Sequence, residues 1–163
     1  RVRRSRSRDN PAIDLRDSAN YYEGVITMVK VLMGLKGSGK TKKLIELVNS
    51  SIENEKGSVI CIERGSKLTY DINYKARLID ISGFSIESFS MLKGFISGLY
   101  AGNYDISHVF IDNLFKASGE HSMEAAGEFL KWLENFGDRN NVSFTVAISA
   151  SVDEATDDIR KYL

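Results

Sequence analysis

The 163-residue chain is 42% hydrophobic and has no formal net charge. It is long enough for one domain with its own core, and its neutrality excludes a general electrostatic pull toward nucleic acid or membrane. The lone cysteine, Cys61, excludes a disulfide framework or a cysteine metal cluster. No stretch reads as a bilayer span or a secretory signal, so a cytoplasmic protein without a membrane span is the expectation.

Residues 1–27 differ from the rest. They hold six arginines, no lysine, four acids and the only proline, Pro11. A basic arm of this kind touches nucleic acid or acidic lipid in one reading and is an unstructured tail in another. The expectation adopted is a disordered or non-native leader, translated ahead of a natural start at Met28. The arginines therefore carry no functional weight, and nucleic acid is not expected as a partner.

Residues 29–33 form a short apolar, β-branched run that reads as a buried strand. It runs into Gly34-Leu35-Lys36-Gly37-Ser38-Gly39-Lys40-Thr41, which matches the phosphate-binding loop G-x-x-x-x-G-K-[ST] at every fixed position. Glycines let such a loop curl and turn its N–H groups toward phosphates. Lys40 supplies a mobile charge for the β- and γ-phosphates, and Thr41 supplies a hydroxyl for Mg²⁺. Residues 41–54 carry Leu44, Ile45, Leu47, Val48 and Ile52 between lysines and glutamates, an amphipathic helix whose positive end points at the same anion. Strand, loop and helix together are the context this motif requires.

Residues 58–62 read as a second buried strand, with Cys61 as a buried structural thiol. Glu63 follows it directly. Residues 67–76, with Tyr70 and Tyr74, read as an irregular segment. Residues 77–81 read as a short strand at a sheet edge, broken by Gly83. Ser85 is expected to cap the next helix, which shows Phe89, Leu92, Ile96 and Leu99 on one stripe. Gly94 and Gly98 in that helix predict close packing against another element. Residues 108–112 form the next strand, opened by His108. Residues 122–136 form an amphipathic helix, and residues 142–148 a further buried strand. Ser151-x-x-Glu154 is a capping box opening a last helix.

Strands alternating with helices predict an α/β domain over residues 28–163: a three-layer sandwich around a mostly parallel five-stranded sheet. Such a sheet binds ligand at the carboxyl ends of its strands. Val109-Phe110-Ile111-Asp112 has the form of a Walker B strand, placing Asp112 beside the phosphate loop as a Mg²⁺ ligand. The next residue is Asn113, where many ATPases carry a catalytic glutamate. Either hydrolysis is weak or the acid comes from another strand end. Glu63 is the main candidate and Glu120 a weaker one. Ser149 is a candidate γ-phosphate sensor, while Ser151 reads as a cap. Arg64, Arg77, Arg139 and Arg160 are candidates for a charge-stabilising finger. Two isolated histidines, His108 and His121, do not make a metal site.

These motifs carry a resemblance. The body of the chain resembles the small bacterial P-loop ATP-binding proteins often labelled twitching-motility or PilT-like. It does so through the loop with Lys42, Tyr70-Asp71, Gly94-Phe95, Phe110-Ile111-Asp112 and Ile148-Ser149. The resemblance implies a P-loop NTPase of RecA-like core that binds ATP with Mg²⁺. It does not imply a pilus motor, since a pilus-retraction ATPase is similar only in its nucleotide core. Residues 34–42 are then the nucleotide-binding set, Lys40 and Glu63 the catalytic pair, and Thr41 and Asp112 the metal ligands. The leading functional expectation is a switch or slow ATPase acting on a protein partner or as a homo-oligomer. A small-molecule kinase of the nucleoside type and a nucleic-acid-linked ATPase are the alternatives.

Overall fold

The computed structural model describes residues 20–22 and 25–163, so the segment read as a leader lies largely outside the described residues. Its last part forms an antiparallel pair, β1 (Asn20–Tyr22) with β2 (Val25–Thr27). The body then runs β3 (Val29–Gly34), α1 (Lys40–Asn54), β4 (Ser58–Glu63) and β5 (Arg77–Asp80). It continues through α2 (Phe89–Gly102), β6 (Ile106–Ile111), α3 (Leu114–Ser118), α4 (Met123–Asn140), β7 (Ser143–Ser149) and α5 (Asp157–Arg160).

The five body strands form one all-parallel sheet in the order β3-β7-β6-β4-β5. Alternate residues of each strand point to opposite faces, and both faces are covered. Val59, Cys61 and Phe110 meet Leu44 and Val48 of α1 on one side. Ile60, Ile62, Val109 and Ile111 meet the helices α2, α3 and α4 on the other. The strands therefore read as continuous apolar runs, as expected for a sheet buried on both faces. The result is an α/β sandwich of helices, sheet and helices. Among the described residues no helix is long and apolar enough to cross a membrane.

Several sequence expectations change in detail. The cap of α2 is Ser88, whose hydroxyl accepts from Met91 N–H at 3.1 Å, and not Ser85. Ser85 has φ 52°, a left-handed conformation, whereas an N-cap residue takes extended backbone. Gly94 and Gly98 face open space, so they do not mark close packing. Asp80 ends β5 early by accepting from Ser82 N–H, which starts a 3₁₀ turn at Ile81. The box formed by Ser151 and Glu154 is present, but it caps a single 3₁₀ turn ahead of α5. The short α3 was not foreseen.

The amino-terminal end of the sheet is tied by a polar network. His108 lies inside β6 and is buried, so both ring nitrogens need partners. Nδ1 meets Glu55 Oε1 at 2.6 Å and Nε2 meets Thr145 Oγ1 at 2.9 Å, while the ring stacks on Phe110. Ser107 donates its hydroxyl to the other Glu55 oxygen. One carboxylate thus joins the end of α1 to β6, and His108 carries the link to β7. Burial alone would raise the Glu55 pKa, but the hydrogen bond and charge of His108, with the Ser107 bond, carry it below the usual glutamate value. A carboxyl group with a lowered folded-state pKa stabilises above its unfolded value and loses that contribution as pH falls. Denaturant melts between pH 7 and about pH 3 should therefore show acid destabilisation that Glu55→Gln reduces, and that variant should already be less stable at neutral pH.

Candidate nucleotide site

The loop between β3 and α1 needs its three glycines on two grounds of geometry. A Cβ on Gly34 would lie 2.5 Å from Ser38 Oγ, so a side chain there collides with the returning loop. Gly37 and Gly39 have φ of 83° and 88°, which L side chains rarely adopt. Gly39 is also the N-cap of α1 and offers no side-chain hydrogen bond to the first turn. No acidic residue stands in that turn; it holds Lys40, Lys42 and Lys43 instead. Cations near a helix N-terminus oppose the helix dipole, by about 0.3–1 kcal/mol each. Uncapped N–H groups and clustered lysines therefore leave an unmet demand for an anion. Lys40 folds over the loop, donating from Nζ to Leu35 O at 2.9 Å and to Ser38 Oγ at 3.4 Å.

A cavity of about 590 Å³ opens in front of this loop. Lys36, Gly37, Gly39, Lys40, Thr41 and Lys42 line it from the loop side; Gly34, Leu35 and Ser38 frame the turn without lining the cavity. The carboxyl ends of three strands close it: Glu63 from β4, Asp112 just past β6, and Ser149 from β7. The Walker B pattern predicts Asp112 beside the loop. In the fold β7 stands between β3 and β6, so Ser149 separates them at the sheet, yet loop and carboxylate still face one cavity.

Six cationic side chains line the cavity against two carboxylates, in a chain of zero net charge. Lys67 and Lys116 belong to this set and were not singled out from sequence. Nothing local marks them, since a lysine in a loop or on a short helix has no motif around it. Asp112 is partly buried. Desolvation raises its pKa, and the charges of Lys116, Lys40 and Lys67 work against that rise. Glu63 is 3% exposed. Its pKa is raised by desolvation and by the charges of Asp112 and Asp80; Leu68 N–H, which donates to Oε1 at 3.2 Å, and Lys116 oppose the rise.

Other candidates have structural work. Arg64 donates from Nε to Lys116 O at 2.8 Å and from Nη2 to Ile86 O and Ala117 O. Its guanidinium clamps the end of α3 and is not a free finger. Arg77 lies near the start of β5, Arg139 donates to Asn135 O within α4, and Arg160 lies in α5; none lines the cavity. Glu120 accepts from Phe89 N–H at 3.1 Å and so braces the start of α2, outside the cavity. Asn113 has φ 51° and its side chain accepts from Lys116 N–H as the cap of α3. Asparagine tolerates this left-handed conformation better than glutamate does, which accounts for the missing acid after Asp112. His121 stacks on Phe115, and among the described residues no cluster of three or more metal-binding side chains occurs.

No protein-family model and no curated protein matches this chain.

The raised pKa of Asp112 has a sign that can be measured. The folded state holds its proton more tightly than the unfolded state, so the stability tied to that proton is present below pH 3.8 and lost as pH rises through the folded value. At neutral pH the buried charge is a net cost. Asp112→Asn should therefore raise the melting temperature of the ligand-free protein at pH 7, and calorimetric scans of both forms at pH 7 and pH 3 would show the gain shrinking in acid.

Proposed function

We propose that this chain is a P-loop nucleotide-binding protein of RecA-like type. It binds Mg-ATP in the cavity before residues 34–42 and hydrolyses it slowly, as a switch or an ATPase coupled to a protein partner or a second copy of the chain. The observation that carries the reading is the convergence of an uncapped, lysine-rich helix start with two carboxylates across one cavity. A triphosphate supplies the anion that the first turn of α1 lacks. The excess of cationic groups balances its charge, and the loop N–H groups suit its oxygens.

Thr41 and Asp112 suit Mg²⁺. Neither side chain makes a hydrogen bond among the described residues, and both line the cavity. Mg²⁺ is commonly held by one or two protein oxygens together with substrate phosphates, which fits a site with no larger acidic cluster. When bound it would neutralise charge on the phosphate oxygens. Lys40 swings from its loop contacts to the β- and γ-phosphates, and Lys116 and Lys67 add charge in place of an arginine finger. Ser149 Oγ reaches toward the γ-phosphate from β7. Glu63 accepts the proton of the attacking water through Oε2, while Leu68 N–H orients Oε1. The raised Glu63 pKa makes the base active only above its ionisation, so turnover rises with pH through that value.

Lys40→Ala should abolish or weaken Mg-ATP binding by at least about tenfold, read by titration calorimetry. Unchanged affinity would sink the reading. Glu63→Gln should leave binding nearly intact while slowing phosphate release by roughly 10²-fold or more. It should also flatten the rise of rate with pH, and a normal rate would reject Glu63 as the base.

A further inference from the structure

A second cavity, of about 310 Å³, lies next to the first, and Glu63 lines both. Ile72, Ala76 and Leu78 give it an apolar floor, and Ser66, Asn73 and Tyr74 give it a polar rim. Its charge is opposite to that of its neighbour. Among the described residues Glu63 and Asp80 are its charged lining groups, and no cationic side chain lines it. Asp80 stays ionised, held low by N–H bonds from Ser82 and Gly65. Between the cavities, Glu63 is nearly fully buried. Oε1 is occupied by Leu68 N–H, and Oε2 has no partner among the described residues. Hydrolysis requires room for one water beside the base, and this cavity is far larger. Tyr74, 89% exposed at the rim, offers a ring face, and the volume is at the lower end of small-molecule sites.

We propose that the second cavity binds a neutral or cationic ring compound with a free hydroxyl, which Glu63 presents to the phosphoryl group held in the first cavity. The proposal rests on the Mg-ATP reading above and gives that site an acceptor. The acceptor oxygen attacks the γ-phosphorus and forms the new P–O bond. The bond from that phosphorus to the β–γ bridging oxygen breaks, and its electron pair leaves with ADP. The hydroxyl proton passes to Glu63 Oε2 and then to solvent. Water in the same place gives the slow hydrolysis proposed above, which proceeds when no acceptor is bound. The two carboxylates exclude an acceptor that already bears phosphate, because two anions would share one small cavity.

The test uses the full chain with Mg-ATP and four probes: adenosine, glucose, glucosamine and adenosine monophosphate. Phosphorus NMR follows product, and titration calorimetry follows acceptor binding in the absence of ATP. At least one of the first three should bind, yield a phosphate monoester and speed ATP consumption roughly tenfold or more. Adenosine against the two sugars separates a nucleoside from a sugar acceptor, and the monophosphate should do nothing. Ser66→Trp places a bulky side chain at an exposed rim position. It should remove acceptor binding and transfer while leaving acceptor-free hydrolysis within about twofold of the parent. Transfer to the monophosphate, transfer unaffected by Ser66→Trp, or an ATP-hydrolysing protein that neither binds nor phosphorylates any of the three would overturn the proposal. A parent protein that fails to bind Mg-ATP at all would instead remove the reading beneath it.

Discussion

The carboxyl end of this sheet is organised around an uncompensated positive pole. Helix α1 starts at a left-handed glycine with no side-chain cap, and its first turn holds three lysines and no acid. A helix built for stability alone would place Asp or Glu there, worth a few tenths to about 1 kcal/mol each. Leu44 and Val48, both fully buried against the sheet, hold α1 in place despite that unfavourable start. Burial of each contributes about 1.5–3 kcal/mol, enough to outweigh the electrostatic cost at the tip. The helix is thus anchored by its apolar face and left electrostatically unfinished at the end that faces the cavity.

Two carboxylates stand opposite that pole, and both are desolvated in a way that raises their pKa. Cations and acids face each other across one cavity, each costly alone, and the proposed ligand, a triphosphate with its Mg²⁺, would answer both. The frame around them comes from side chains engaged with the backbone. Arg64 ties β4 to α3 through backbone carbonyls, Asn113 caps α3 in a left-handed turn, and Glu120 braces α2. These contacts hold the segments after β4 and β6, and so the positions of Glu63, Asp112 and Lys116.

A buried polar network ties the opposite end. The linked side chains of Glu55, Ser107, His108 and Thr145 join α1, β6 and β7 at the amino-terminal side of the sheet. A fully satisfied buried network of this kind specifies register and rigidity. At the strand edge that carries the loop, Val31 N–H donates to Tyr162 O, and Tyr162 is buried with its hydroxyl on Glu134. The unfavourable groups gather at one end of a sheet whose other end is tightly paired, an arrangement common where a site needs local strain or charge.

The local part of this protein was legible in the chain. Strand 29–33, the glycine loop and the apolar stripe of α1 are contiguous, and their periodicity and turn chemistry act over a few residues, so they can be read before any folding. The alternation of apolar strands and amphipathic helices likewise sets an α/β sandwich, because each face must be buried. What the chain could not disclose are relations between residues far apart in it. The insertion of β7 between β3 and β6, the convergence of Lys67 and Lys116 on Asp112, the loss of Arg64 to three carbonyls, and the standing of Glu63 between two cavities depend on strand order and loop packing. Those are decided by long-range burial, and no spacing of residues along the chain records them.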